Sequence, residues 1–106
     1  MKNIKKFSFR QGLPHDIELM DLELLFRAGY ENITKTHRST FFQIFWFQEA
    51  GPIHLVDFVP MDVQANTLLF LSAETVQRFD PQGGYKGKTI LFSKAFFAAC
   101  NKILGI

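Results

Sequence analysis

The sequence predicts a mainly β domain, a sandwich or barrel with a short helix near its start and an amphipathic helix at its end. The first sign is the run 37–47, His-Arg-Ser-Thr-Phe-Phe-Gln-Ile-Phe-Trp-Phe, in which five aromatics fall within seven positions and neither Gly nor Pro intervenes. Aromatic and β-branched side chains favour a pleated surface, so this run reads as a central strand rather than a helix. The second sign is the series of short apolar stretches that follows, each bounded by turn residues, as in many-stranded β architectures. The third is a change of period after Ser93, where apolar residues begin to recur at helical spacing.

Successive side chains of a strand face opposite ways. One face of the central run then carries His37, Ser39, Phe41, Gln43 and Phe45, and the other Arg38, Thr40, Phe42, Ile44 and Trp46. Both faces are apolar at their middles, which predicts a strand buried on both sides in a closed or covered sheet. His37, Ser39 and Gln43 then line an interior, and that interior is where function is sought.

Ahead of this run, residues 5–10 read as a short edge strand or arm, interrupted by Gly12 and Pro14. Between Ile17 and Arg27 the apolar residues first alternate and then follow a helical stripe. Residues 21–27 are predicted as a short helix that stops at Gly29, with Asn32 turning the chain into the central strand. Beyond it, Gly51 and Pro52 mark a loop and residues 53–58 return as its antiparallel hairpin partner. Pro60 is expected to break that pairing. Residues 63–66 read as a short strand and turn, 67–71 as a buried strand, 76–79 as a further strand, 80–84 as a loop and 88–92 as the last strand. Phe96, Phe97, Cys100, Ile103 and Leu104 share a helical face behind Ser93, a suitable N-cap. The chain thus divides into an arm and short helix (1–33), a β-barrel (34–92) and a helix (93–106), and its apolar end predicts the front piece of a longer protein.

A chain of 106 residues makes one domain that can fold without a metal or disulfide staple. Cys100 is the single cysteine and reads as a small core residue of a reduced, cytoplasmic protein. The basic N-terminus has no signal-type apolar segment behind it and no run reaches membrane-spanning length, so no membrane association is expected. A formal charge of +2 with scattered basic residues is no nucleic-acid footprint. Thirteen phenylalanines predict a wide apolar core, an apolar pocket or an uncovered interface.

Candidate chemistry is sparse. Residues 82–89 miss the phosphate-binding loop pattern by one glycine, Gln82 standing in its place, and Thr89-Ile90-Leu91-Phe92 is strand-like where that loop must open a helix. His15, His37 and His54 are isolated, without a second ligand at strand spacing. Ser39, Ser72 and Ser93 are explained by strand, turn and cap contexts, so no catalytic nucleophile is expected. Asp57 is read as orienting a neighbouring strand or a ligand.

Taken in order, residues 37–44, Gly51, 53–58, 67–72 with 76–79, and Gly84-Tyr85 with 90–97 resemble the N-terminal cupin domain of AraC-type transcription regulators. The resemblance implies a cupin double-stranded β-helix, a jelly-roll barrel, with one or two helices behind it. In that family the domain senses a small-molecule effector and helps to form a homodimer, while two helix-turn-helix units in a C-terminal domain bind promoter DNA. Nothing in this chain matches that second domain, so DNA would be reached only through it.

Metal-binding cupins place two histidines two apart on the first strand, a carboxylate or glutamine four later, and another histidine on a later strand. The corresponding places here hold His37, Ser39, Gln43 and Gln77, so one imidazole of the usual three is present. The resemblance therefore implies a metal-free sensor and no enzyme, with no catalytic residue and no cofactor. His37, Ser39, Gln43 and Gln77 would hydrogen-bond a small polar metabolite, a sugar among the candidates, between apolar walls from Phe41, Phe45 and Phe79. The alternatives are a free-standing cupin enzyme, such as a sugar isomerase or metal-dependent oxygenase, and a filled barrel that serves only dimerisation. In sugar-sensing members the N-terminal arm folds over the pocket, which would make residues 7–13 a lid.

Overall fold

Lys5–Phe7 forms strand β1, Ile17–Asp21 β2 and Leu22–Ile33 helix α1; then follow β3 (His37–Ser39), β4 (Phe42–Phe47), β5 (Gly51–Val56), β6 (Val59–Val63), β7 (Thr67–Leu71), β8 (Val76–Phe79), β9 (Gly87–Phe92) and helix α2 (Lys94–Leu104). The structure, a computed structural model, describes the backbone of residues 5–7 and 17–104 and the side chains of residues 17–102. Among these the strands make two sheets, ordered β1-β3-β8-β5-β6 and β2-β9-β4-β7. All pairings are antiparallel except that of β1 with β3. The predicted lid and the turn at Gly12 and Pro14 lie outside the described residues, apart from the backbone of Phe7.

The inner faces of the two sheets meet in one core. Phe45, Phe47 and Leu71 come from the four-stranded sheet, Val63 and Phe79 from the five-stranded one, and Leu22, Ile33 and Tyr85 complete the cluster. Phe45 meets Phe79 edge-on across the interior at 5.5 Å. The Tyr85 hydroxyl donates to Ile53 O at 2.9 Å and accepts from the Asp80 N–H at 2.8 Å, pinning the 80–86 loop to β5.

The central run alternates as its pattern requires, but it is two strands. β3 lies in one sheet and β4 in the other, with Thr40 and Phe41 forming the corner. Because the alternation passes through that corner, His37, Ser39, Gln43, Phe45 and Phe47 are all buried while Trp46 on the opposite face is exposed. The run is therefore not buried on both sides. Nor is β5 the hairpin partner of β4: both edges of β4 are taken, by β7 and β9, and β5 pairs with β6 and β8 instead.

The hairpin is β5–β6, joined at Asp57 and Phe58, whose φ of 50° and 67° matches the twist of a two-residue turn. Asp57 also accepts the Val76 N–H at 3.2 Å, the strand-orienting role expected of it. Pro60 does not end the pairing. It sits opposite Leu55 on the edge strand β6, where a missing N–H costs no ladder bond. β7 is likewise an edge strand, and the outward side chains Leu68 and Phe70 are 68% and 52% exposed rather than buried.

Alternation up to Asp21 gives β2, so the alternating first part of the stretch 17–27, with Asp21 from the predicted helix, belongs to a sheet. α1 then runs through Gly29 to Ile33, longer than the predicted helix. Gly29 is no stop because Ile33 gains burial against the core by extending the helix, which Thr34 closes by bonding back to Tyr30 O through its N–H and hydroxyl. α2 begins as predicted, with Ser93 Oγ accepting the Phe96 N–H at 3.0 Å. Its Phe97 stacks on Phe42 at 4.5 Å, so this helix covers part of the outer face of the four-stranded sheet. No helix among the described residues is long and apolar enough to cross a membrane.

Candidate ligand-binding site

Between α1 and the inner faces of β3, β4, β8 and β9 lies a cavity of about 210 Å³. His37 and Ser39 of β3, Phe41 at the corner, Gln43 of β4 and Phe79 of β8 reach it, joined by Leu91 of β9 and by Leu25, Gly29, Asn32 and Ile33 of α1. Five of the seven predicted binding residues therefore converge. Gln77 and Phe45 do not line the cavity: Phe45 is wholly core, and Gln77 lies one layer deeper, bonded to a cavity residue.

The α1 contribution was hidden by the early stop at Gly29. Leu25, Gly29, Asn32 and Ile33 recur at i, i+4, i+7 and i+8, one helical face, and extending the stripe would have exposed it. His54 was the other omission. Its only sequence signal was an imidazole inside an apolar strand.

The buried polar groups form a chain across the interior. Gln43 stands between Leu91 and Leu71 in its own sheet, so its amide finds no polar neighbour there. It reaches to the opposite sheet, where its Oε1 accepts from Gln77 Nε2. Gln77 Oε1 in turn bonds His54 Nε2 at 2.9 Å. Leaving one of these amides unpaired would cost about 1–3 kcal/mol.

His54 is fully enclosed, its ring 4.2 Å from that of Phe79. Burial pushes its pKa down to about 4, against a smaller opposing effect of the Gln77 bond and a further lowering by His37, so it is neutral near pH 7. Its Nδ1 has no partner. His37 is also lowered by burial, and its Nδ1 lies 2.8 Å from Lys35 O. A carbonyl only accepts, so Nδ1 carries the proton and neutral His37 keeps Nε2 as an acceptor.

Among the described residues no Asp, Glu, Lys or Arg lines the cavity. Its walls are apolar with a few convergent polar groups, the usual character of a small-molecule site. An apolar cavity of about 150 Å³ holds benzene, so this one suits a substituted single ring. Among the described residues no three His, Cys, Asp or Glu side chains gather as metal ligands. A second depression, beside Glu23 and Lys86, is crossed by their ion pair at 3.1 Å. Thr89, the would-be phosphate-loop threonine, is buried within β9 rather than opening a helix.

No protein-family model matches the chain, and no curated protein or solved structure shows significant similarity to it.

Proposed function

We propose that this chain is an effector-binding domain of the AraC type, built as a cupin jelly roll whose metal-free interior holds a small neutral molecule. The observation that carries this reading is the cavity between α1 and the sheets, lined among the described residues by no charged side chain, which His37, Ser39 and Gln43 reach with Phe41 and Phe79. The strand that crosses between sheets at Thr40 and Phe41 is also what a double-stranded β-helix requires. In this reading the domain dimerises within the complete regulator and passes the state of its cavity to an attached helix-turn-helix domain. The donor set speaks against metal chemistry, since the Nε2 of His54 is engaged by Gln77 and no carboxylate lines the cavity among the described residues.

A thermal-shift screen against simple sugars, small neutral ring compounds and divalent metals tests it. A ligand at 100 times its dissociation constant adds about 2.7 kcal/mol, which moves the midpoint of a domain this size by several degrees. Stabilisation by a neutral compound and not by metals is expected. A response to a transition metal alone would favour the cupin enzyme, and silence throughout would favour a filled barrel.

A further inference from the structure

We propose that the buried chain from His54 through Gln77 fixes Gln43 as a hydrogen-bond donor to the cavity, so that the site selects neutral, ring-sized ligands carrying a carbonyl or ether acceptor. This rests on the reading of the cavity as a ligand site and goes beyond it by assigning the polarity that the ligand must match.

Direction in such a chain is set at its closed end. Neutral His54 has one N–H and one lone pair to place, and its Nδ1 faces no partner in the protein interior. A buried N–H left orphaned is rarer and costlier than an unshared lone pair. The proton therefore sits on Nε2, which donates to Gln77 Oε1 at 2.9 Å. With its oxygen occupied, Gln77 can offer only Nε2 to Gln43, whose Oε1 accepts. Gln43 is then left with its own amide N–H groups, which make no hydrogen bond among the described residues. Gln43 itself lines the cavity. An acceptor on the bound molecule completes the chain; a ligand offering only a donor there meets another donor.

Size and charge narrow the class further. Among the described residues the cavity of about 210 Å³ has no charged side chain in its wall, so an ionised ligand would lose its hydration without gaining a counter-charge from them. Half of the lining residues, Leu25, Ile33, Phe41, Phe79 and Leu91, present apolar surface. The ligand class is a compact cyclic ketone, ester, lactone or ether rather than a polyol or an acid.

The test compares acetophenone with isopropylbenzene, which has the same number of heavy atoms but no acceptor, by calorimetric titration. In the intact protein labelled with ¹⁵N on glutamine side chains, acetophenone should shift the Gln43 NH₂ resonances and isopropylbenzene should not. Gln43→Leu should weaken acetophenone about tenfold, the value of one buried hydrogen bond, and leave isopropylbenzene unchanged or tighter. His54→Leu frees Gln77 to turn over and should reduce the acetophenone preference, whereas His54→Gln retains a donor to Gln77 and should restore it. Acetophenone binding without a Gln43 NH₂ shift, or equal loss of both compounds in Gln43→Leu, overturns the proposal while leaving the cavity a ligand site. If neither compound binds the unaltered protein and none of the screened neutral compounds does, the cavity reading fails and this inference fails with it.

Discussion

Among the described residues His54 has a strongly displaced titration, and its consequence for stability has a definite sign. The folded state holds the ring neutral down to about pH 4, whereas the unfolded chain takes up its proton near the ordinary value of 6.5. Below 6.5 the unfolded state therefore binds more protons, so stability is fully present above that value and is lost as pH falls toward 4. Between about pH 7.5 and about pH 5 the loss amounts to about 2 kcal/mol. His37, lowered by burial too, acts in the same direction. Urea titrations at those two pH values should show this drop in the native protein and a clearly smaller one in His54→Gln. An equal drop in both would mean that His54 is not the group responsible. At this scale the inward set His37, Ser39, Gln43 was legible because period-two alternation survives a corner. His54 was not, because a single buried imidazole leaves no pattern; its meaning lies in Gln77, which is far from it in sequence and adjacent in space.

The elements were legible where two periods differ and illegible where one residue type has two uses. Ser93 marked the start of α2, and the Thr67–Leu71 and Val76–Phe79 strands fell where their turn residues put them. Glycine misled, since Gly29 reads as a helix stop and is in fact a mid-helix position facing the cavity. This makes opposite effects on stability and binding a prediction for one substitution. A Cβ at Gly29 would lie 3.5 Å from Ile33 Cγ2, an ordinary contact, so the fold has room for it. Gly29→Ala should stabilise the protein by about 0.5–1 kcal/mol through helix propensity. The same methyl group takes space from the cavity and should weaken acetophenone binding several-fold. Urea midpoints and titration of the same sample check both signs. Lower stability would show that the site has no room, and unchanged affinity would place binding elsewhere. Gly87 is the contrasting case: with φ of +147° and the Trp46 carbonyl oxygen 1.8 Å from any added Cβ, its position admits no side chain.

Which strand lies beside which was the part of the fold hidden from the sequence, because alternation fixes the facing of a strand and says nothing about its neighbours. β4 illustrates this, flanked by β7 and β9 rather than by the strand that follows it. β5–β6 is the one pairing between strands consecutive in the chain among those described; the others close long loops before any contact rewards them. Such topologies fold slowly, so refolding from urea should take milliseconds to seconds rather than the microseconds of a helical bundle. The position of β9 sharpens the point. It sits between β2 and β4, so the centre of the four-stranded sheet is supplied by nearly the last part of the chain. Without it and the α2 helix that follows, β2 has no sheet partner, β4 loses one edge, and Phe42 loses the aromatic stack of Phe92 and Phe97. A fragment ending at residue 86 should therefore show no cooperative unfolding transition, although it retains most of the residues that line the cavity. Circular dichroism during urea titration decides this. A sigmoidal transition in the fragment would mean that the five-stranded sheet and α1 form a stable unit by themselves, and that the cavity does not depend on closure of the second sheet.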